Sequence, residues 1–504
     1  MLLRQPTRGH SPWLRLRAEL IHPDPRRQRL AIVGVLIAGG LLLGLLVGAT
    51  GPTIAIALAV ALIGAGMVVR SPLWGLLGVI AISTLLPFAT LPFKIGFTPS
   101  FLDLAIFATF GVWALRYAAA AETRFEASAI GGAVILFLMM AAFTFAMGLQ
   151  HARPTANNLR QFAEMILSIT LFFVVINVVQ RHAQLFFLAR ALMLGGAAAA
   201  ALGVLFYILP QTATVWVLDR LARLSYPGGF GALRFINDDP EGIMRAIGTS
   251  IDPNALGGLI VLAGLFTLPQ LFTQGPLFSR RWAAALVGVQ VLGLYLTFSR
   301  GSMVGFVAGA GVMALLRYRK LLALLLAVGL LFLILPFTQD YVQNMWLGLT
   351  GQDRSTQMRF GEYRDALDLI SRYPIFGVGF TGAPEIDLYV AVASLYLLMA
   401  EQMGLVGLFT FLLLILLFLN TLIRGLRRPQ IDPASEGLLL GVLAAMAGLL
   451  AAGIFDHYLF NLAYPHMTSL LWILIGAGMV AVHFALQDDP TLSASHPTLT
   501  QGTP

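Results

Sequence analysis

Apolar runs of roughly 20 residues, the length that spans a bilayer as a helix, recur along this sequence with short polar segments between them. A first group predicts crossings near residues 30–49, 53–69, 72–90, 101–116, 129–148, 161–179 and 184–209. A second group predicts crossings near residues 253–273, 282–298, 301–316, 321–337, 403–423, 436–455 and 465–484. The pattern indicates an all-α, polytopic helical membrane protein with about 12–14 transmembrane helices.

The composition and charge of the chain agree with this class. Hydrophobic residues make up 58% of the 504 residues and charged residues only 11%, whereas a soluble domain carries roughly a quarter charged residues. The net charge of +8 comes from basic residues between crossings, such as Arg70, Arg116 and Arg181, and such loops lie on the cytoplasmic side. We therefore expect both termini in the cytoplasm and no nucleic-acid partner. The absence of cysteine excludes disulfides and thiolate chemistry.

The crossings divide the chain into segments. A basic cytoplasmic N-terminus (1–29) precedes the N-terminal transmembrane bundle (30–209), and further transmembrane helices occupy 253–337 and 403–486. Two long outer segments, 210–252 and 338–402, exceed the usual loop length and are predicted to be functional. The second contains an amphipathic helix over Met358–Tyr373. The cytoplasmic tail, 487–504, is rich in Ser, Thr and Pro and is predicted to be disordered.

Arginines on the outer side are the candidate ligand-binding groups. Arg300 lies between two crossings with almost no loop, Arg359 begins the amphipathic helix, and Arg245 precedes an Asp-Pro-Asn turn at 252–254. Guanidinium groups bind phosphate oxygens in a bidentate way, so these arginines indicate a site for a lipid-linked phosphate or diphosphate. Structural alternatives are an interfacial anchor for Arg300 and a solvated helix face for Arg359.

Acid–base candidates on the outer side are His457, Glu401 and Asp456, with Asp252 as a further acid. Asp456 can hold the imidazole of His457 near neutral pH, but adjacent helical residues point about 100° apart. His457 can alternatively serve as an interfacial anchor. Asp252 can alternatively cap the helix that follows it.

Neither metal-ligand spacing nor a Walker A pattern occurs in the chain, so no metal and no cofactor are expected. Gly305, Gly309 and Gly311 lie within one crossing. Small residues there allow neighbouring helices to approach closely, so these glycines are predicted packing positions and not a phosphate loop.

Three stretches resemble the O-antigen ligase and O-antigen polymerase superfamily, bacterial inner-membrane enzymes of polysaccharide assembly. Arg245 with Ile247–Leu259 is similar to its Arg-x-x-Gly and Asp-Pro-Asn stretch, and Leu296–Gly305 (LTFSRGSMVG) to its Ser-Arg-Gly motif. The third consists of Arg359–Gly379 (RFGEYRDALDLISRYPIFGVG) and Ser394–Leu408 (SLYLLMAEQMGLVGL), which are similar to the large periplasmic loop and the following helix.

The resemblance implies a fold like that of C-type membrane glycosyltransferases, a multi-pass location in the bacterial inner membrane, and glycosyl transfer at the periplasmic face. An undecaprenyl-diphosphate-linked glycan would be the donor and a second glycan the acceptor, with a chain-length regulator as a further partner. Arg300 and Arg359, and more weakly Arg245, would bind the diphosphate. The product would be an O-antigen of lipopolysaccharide or an exopolysaccharide.

One position departs from the family pattern. Ligases of the family usually carry a His at the start of a His-x-x-Tyr-Leu pattern, and Ala393 stands there in this chain. This favours the polymerase branch or an exopolysaccharide enzyme over a lipid A core ligase, and His457, Glu401 and Asp456 remain the candidate bases. The alternative function is a transporter or flippase for an anionic lipid or small acid, with the outer arginines as its vestibule.

Overall fold

The computed structural model describes residues 62–91, 94, 96–119, 125–381, 392–428 and 430–487, together with single positions between residues 24 and 48. The predicted basic N-terminus, the first crossing, most of the second and the predicted tail lie outside the continuously described residues. The chain forms two compact units, Met1–Arg70 and Ser71–Pro504. In the first unit, residues 62–70 are helical. The candidate functional site lies in the second unit.

The described part of the second unit contains fifteen α-helices. The first eight are α1 (Pro72–Leu85), α2 (Phe101–Ala119), α3 (Gly131–Gly148), α4 (Ala156–Val178), α5 (His182–Ile208), α6 (Gln211–Leu221), α7 (Pro253–Thr267) and α8 (Arg280–Leu296). The others are α9 (Arg300–Leu316), α10 (Arg319–Ile334), α11 (Gln339–Leu349), α12 (Arg354–Arg372), α13 (Leu395–Leu426), α14 (Pro433–Ala452) and α15 (Pro465–Gln487). Extended pairing in these residues consists of two isolated bridges, Thr90 with Ser100 and Phe235 with Met244.

Every crossing predicted from residue 72 onward coincides with one of these helices. Within the described residues, eight helices are long and apolar enough to span a membrane by length and composition. They are α2, α3, α4, α5, α13, α14, α15 and the helical stretch Pro253–Leu271, which begins with α7. The all-α polytopic class is therefore confirmed, whereas the larger number of crossings stays a prediction.

Helix α1 ends earlier than its apolar run. The run predicts a crossing to residue 90, but the helix ends at Leu85, and Leu86 leaves the helical conformation with φ −142° and ψ 50°. Pro87 follows directly, and a residue before proline is disfavoured in the helical region because the proline ring clashes with it. The chain therefore turns before it has crossed a full bilayer thickness as a helix.

The two outer segments contain more helix than their sequence pattern predicts. The predicted amphipathic helix at Met358–Tyr373 is present as α12, which begins four residues earlier. Helices α6 and α11, of 11 residues each, were not predicted. Both are shorter than a bilayer-spanning run, so a search for long apolar stretches passes over them.

Helix α13 begins eight residues before the predicted crossing and is interrupted at Gly404. Ser394 caps its start, where the side chain accepts a hydrogen bond from the amide of Leu397. Gly404 has φ 69°, outside the helical region. The chain after α12 covers this break, because the amide of Leu405 donates to Pro374 O at 2.8 Å and that of Val378 to Glu401 O at 2.8 Å. The large outer segment is thereby attached to an interruption in a transmembrane helix.

Helix α7 lies at the centre of the unit, packed by α5, α8, α9 and α14. Glycines allow α9 and α14 to approach closely. A Cβ at Gly305 would lie 2.5 Å from Gly448 O, and one at Gly309 would overlap the carbonyl oxygen of Ala444. The packing role predicted for these two glycines is confirmed. The same prediction for Gly311 is wrong, because no atom of the described residues lies within 4 Å of its Cβ position.

Substitution of Gly309 by alanine should therefore destabilise the protein, although alanine is favoured over glycine in a helix by roughly 0.5–1 kcal/mol. The added methyl group meets the backbone of α14, which cannot rotate away, and overpacking of this kind costs about 1–3 kcal/mol. Thermal unfolding of the detergent-solubilised variants measures the effect. Gly311→Ala, on the same helix and in open space, should leave the unfolding temperature unchanged or higher. Equal unfolding temperatures for the two variants would contradict the close packing.

Candidate active site

A cavity of about 340 Å³ lies where the starts of α7, α9 and α12 meet the loop between α14 and α15. Five of the six residues proposed from sequence line this cavity: Arg245, Arg300, Arg359, Asp456 and His457. The sixth, Glu401, is not among its lining residues. The amino ends of helices carry partial positive charge, which adds to the charge of the three guanidinium groups. The cavity therefore combines cations with an imidazole and carboxyl groups.

Arg245 connects two helix starts. Its Nε donates to Thr297 O, just before α9, and its Nη2 donates to Asn254 Oδ1 in the first turn of α7, each at 2.8 Å. The backbone around it is also fixed, because its amide donates to Arg234 O at 2.8 Å. These partner oxygens are uncharged, and the contacts orient the guanidinium.

Arg300 is held by an ion pair with the residue that precedes α12. Its Nη2 donates to Asp353 Oδ2 at 2.7 Å and to Ser355 Oγ at 2.8 Å. The guanidinium also packs on Gly348 of α11, where a Cβ would overlap Nη1. The start of α12 and helix α11 therefore fix this side chain, which is 26% exposed.

The pKa of Asp353 reflects this pairing. Burial by itself would raise it, but hydrogen bonds from Arg300, Thr356 and Ser355 and the charge of Arg300 lower the pKa to about 2. The carboxyl is therefore ionised at physiological pH, and it compensates one of the positive charges in the cavity.

Arg359 is half-buried in α12, and among the described residues its guanidinium makes no hydrogen bond and no ion pair. Its charge nevertheless acts on its neighbours. Burial raises the pKa of Glu362 and of Asp456, and the positive charge of Arg359 opposes both shifts. Of the three cavity arginines, Arg359 is thus the one whose hydrogen-bonding capacity the described protein atoms leave unused.

His457 is oriented by a backbone carbonyl. Its Nδ1 lies 3.0 Å from Val392 O, and since a carbonyl oxygen can only accept, Nδ1 carries the proton. In the neutral ring Nε2 is then an acceptor, and no described residue forms a hydrogen bond with it. The amide of His457 donates to Asp456 Oδ1 at 2.8 Å. This arrangement leaves a basic nitrogen available in a cavity-lining residue.

The residues just before α13 join the walls of the cavity. The amide of Ala393 donates to Glu362 Oε2 and the hydroxyl of Tyr363 donates to Ala393 O, each at 3.0 Å. His457 binds the preceding carbonyl, and the amide of Leu395 donates to Gly453 O at 2.8 Å. Side chains from α12 and from the α14–α15 loop therefore bind neighbouring backbone groups, which fixes the imidazole relative to Arg359.

Asp252 caps α7. Its Oδ1 accepts from the amides of Asn254 and Ala255, each at 2.8 Å, which is the capping alternative recognised from sequence. Asp252 also lines the cavity. Its partners account for its presence at this turn without a role in proton transfer.

Left-handed backbone is concentrated around the cavity. Of the described non-glycine residues, five have φ between 49° and 67°. Asn237, Asp238 and Phe298 line the cavity, and Ile251 directly precedes Asp252; the fifth is Ser225. For a bulky or β-branched residue this conformation costs roughly 1–3 kcal/mol. The left-handed backbone was not predicted from the sequence. Asn237 and Asp238 are residue types that tolerate this conformation, but nothing in the sequence indicates it at Phe298 or Ile251.

Glu401 lies apart from these groups, in the part of α13 that precedes the break at Gly404. The residue is 8% exposed, and its Oε2 is buried with no hydrogen-bond partner among the described residues. Its backbone carbonyl accepts from Val378, and Gly377, with φ 67°, allows this close approach. Glu401 therefore lies beside the helix break and not in the cavity.

A comparison with known protein families gives an indication of function that does not depend on the geometry of the cavity. Residues 283–412 match the O-antigen ligase family, a range that begins in α8 and ends in α13. The matched range includes Arg300, Arg359 and Glu401, whereas Arg245, Asp456 and His457 lie outside it. The curated proteins contain no match to the chain. Within the described residues, no group of three or more His, Asp or Glu side chains is placed to hold a metal ion.

Replacement of Asp252 by alanine should destabilise the protein by about 1 kcal/mol, because the first amides of α7 lose their cap. Asp252→Asn keeps an oxygen that can accept the same hydrogen bonds, so its stability should stay close to that of the unchanged protein. Thermal unfolding in detergent compares the two. A loss of stability in Asp252→Asn as large as that in Asp252→Ala would show that the charge, and not the cap, is required.

Proposed function

We propose that this chain belongs to the O-antigen ligase and O-antigen polymerase superfamily, since residues 283–412 match the O-antigen ligase family. In this proposal it transfers a glycan from undecaprenyl diphosphate to an acceptor glycan at the periplasmic face of the bacterial inner membrane. The observation that carries the proposal is the meeting of Arg245, Arg300 and Arg359 with His457 in one cavity. The product is an O-antigen or exopolysaccharide chain, and a chain-length regulator is the expected further partner. Both termini are expected in the cytoplasm.

In this reaction the arginines bind the diphosphate that leaves. As the bond between the anomeric carbon and the diphosphate oxygen breaks, negative charge grows on that oxygen, and preorganised cations stabilise it. Arg359 is best suited to the phosphate oxygens because described protein atoms leave its donors unused. Arg300 and Arg245 are held in place by their own partners and add positive charge. Fixed guanidinium groups then take the part that a divalent metal plays in other glycosyl transfers.

His457 is proposed as the general base. Its Nε2 accepts the proton of the acceptor hydroxyl, the hydroxyl oxygen attacks the anomeric carbon, and the lipid diphosphate departs with the electrons of the broken bond. Val392 O fixes the tautomer that this step requires. Asp456 accepts a hydrogen bond from the backbone amide of His457, and in its ionised form it stabilises the protonated imidazole by its charge.

His457 is a candidate replacement for the histidine that the family usually carries and that this chain lacks. The resemblance places a base at position 393, which is alanine here, and Ala393 lines the same cavity as His457. His457 reaches this place from the α14–α15 loop, where it binds the backbone of the residue before Ala393. We propose that an imidazole supplied from another element serves the same function. Glu401, buried beside the helix break, is the weaker candidate.

The substitution Arg359→Ala should weaken binding of lipid-linked donor by about 10- to 100-fold, because a hydrogen bond to a charged group is worth roughly 1.5–3 kcal/mol. Isothermal titration of the purified protein in detergent with inorganic pyrophosphate, which carries the two phosphates of the donor, measures the loss of affinity for the diphosphate. Arg364→Ala is the matched control, since Arg364 is exposed on the same helix and does not line the cavity. Equal pyrophosphate affinity in both variants would contradict the role of Arg359.

Loss of the imidazole in His457→Ala should lower the turnover of glycan transfer by about 10²- to 10⁴-fold, the usual contribution of a general base. Binding of pyrophosphate should remain, because the arginines are unchanged. Formation of extended glycan from lipid-linked donor in proteoliposomes measures turnover. If the unchanged protein instead moves donor across the membrane without consuming it, as counterflow would reveal, the chain is a transporter and the proposed chemistry is wrong.

A further inference from the structure

One wall of the cavity is formed by a hairpin within residues 210–252. Phe235 and Met244 form an antiparallel bridge, the amide of Ile236 donates to Ile243 O at 3.0 Å, and that of Arg245 to Arg234 O at 2.8 Å. The chain reverses direction between these pairs. Arg245 therefore stands at the base of the hairpin, and Asn237 and Asp238 stand in its turn.

Both turn residues line the cavity and both have left-handed backbone, with φ of 59° and 58°. Asparagine and aspartate tolerate this conformation better than other side chains, so the sequence suits the turn. Within the described residues, the amide of Asn237 and the carboxylate of Asp238 make no hydrogen bond and no ion pair. Both residues are exposed, so the turn presents two donors from the side-chain amide and acceptor oxygens from both side chains, which are open to a ligand in the cavity.

The negative charge in the turn of this hairpin disfavours phosphate as the ligand of the turn. Asp238 lies in the turn, whereas the cations of the cavity stand at the base of the hairpin (Arg245), on α9 (Arg300) and on α12 (Arg359), and the charge of Asp238 repels a diphosphate. Two aromatic rings, Phe235 and Tyr464, line the cavity with it. A rigid site of apolar rings with a few polar groups is typical of binding sites for small polar molecules with apolar faces.

We propose that the Asn237–Asp238 turn is a carbohydrate subsite, which binds the hydroxyl groups of one sugar ring while the arginines bind the diphosphate. A sugar ring offers adjacent hydroxyls that both donate and accept, and it carries no charge that Asp238 would repel. The subsite rests on the proposed glycosyl transfer, and the ring can belong either to the donor glycan or to the acceptor glycan. The hairpin makes it rigid relative to Arg245, so the two parts of the ligand are held at a fixed separation.

A double exchange of the two side chains tests the subsite. The variant Asn237→Asp with Asp238→Asn keeps composition, net charge, side-chain shape and tolerance of the left-handed backbone, and changes only the order of donors and acceptors. The probe is the oligosaccharide that mild acid releases from the lipid-linked glycans of a strain lacking this protein. Because it has lost its diphosphate, its binding to purified full-length protein reports on the subsite alone.

The exchange should weaken binding of the oligosaccharide by about tenfold, which corresponds to the loss of one or two ordinary hydrogen bonds, and leave the affinity for inorganic pyrophosphate unchanged. Glu241→Gln, in the same loop but outside the cavity lining, should change neither. Unchanged oligosaccharide binding in the exchange variant overturns the subsite. Failure of the unchanged protein to bind pyrophosphate or to transfer glycan would instead overturn the proposed function.

Transfer kinetics in proteoliposomes assign the source of the ring. If the subsite holds the acceptor, the exchange raises KM for the acceptor glycan and leaves KM for the lipid-linked donor unchanged. If it holds the sugar next to the diphosphate, KM for the donor rises instead. A fall in kcat with both KM values unchanged would contradict a binding role for the turn.

Discussion

A charged group beside a bilayer is stable only where other groups compensate its charge or hold it near water, and this requirement shapes the whole cavity. Arg300 satisfies it through Asp353, whose pKa of about 2 shows how strongly the pair favours the ionised form. Arg245 meets the same requirement partly through hydrogen bonds to the uncharged oxygens of Thr297 and Asn254. Arg359 makes no hydrogen bond and no ion pair with a described residue, and the nearby carboxyl groups of Glu362 and Asp456 act on its charge.

The same contacts connect parts of the chain that are distant in sequence. Glu362 and Tyr363 of α12 bind the backbone of Ala393, and His457 binds the backbone of Val392. His457 and α12, the helix that carries Arg359, are consequently attached to one short stretch of main chain. Their relative position is set by hydrogen bonds to backbone groups, which do not depend on the side chain at position 393. This explains how alanine is compatible there with an imidazole in the cavity.

Several glycines allow the close approach of the helices that carry these contacts. Gly305 and Gly309 bring α9 against α14, and α9 begins with Arg300 while α14 leads into the loop that carries His457. Gly348 leaves room for the guanidinium of Arg300. At Gly404 the helix is broken, and the chain after α12 forms hydrogen bonds with the backbone there. Close packing and a helix break therefore place charged groups from separate helices at one cavity.

Local pattern was sufficient for much of this protein. Apolar runs predicted the position of every long apolar helix described from residue 72 onward, because hydropathy is a property of consecutive residues. The short helices α6 and α11 were missed for the same reason, since neither forms a long run. The arginines at 245, 300 and 359 were also identified from sequence, because an outer guanidinium beside an apolar run is unusual by itself.

Which charges meet was decided by the tertiary structure alone. Asp353 lies 53 residues from Arg300, and Val392 lies 65 residues from His457, and no local pattern encodes pairs so far apart. Glu401 and His457 were equal candidates in the sequence, and only the packing put one in the cavity and the other beside a helix break. The left-handed backbone at Phe298 and Ile251 is also decided by the tertiary structure, because the surrounding contacts impose a conformation that neither residue prefers.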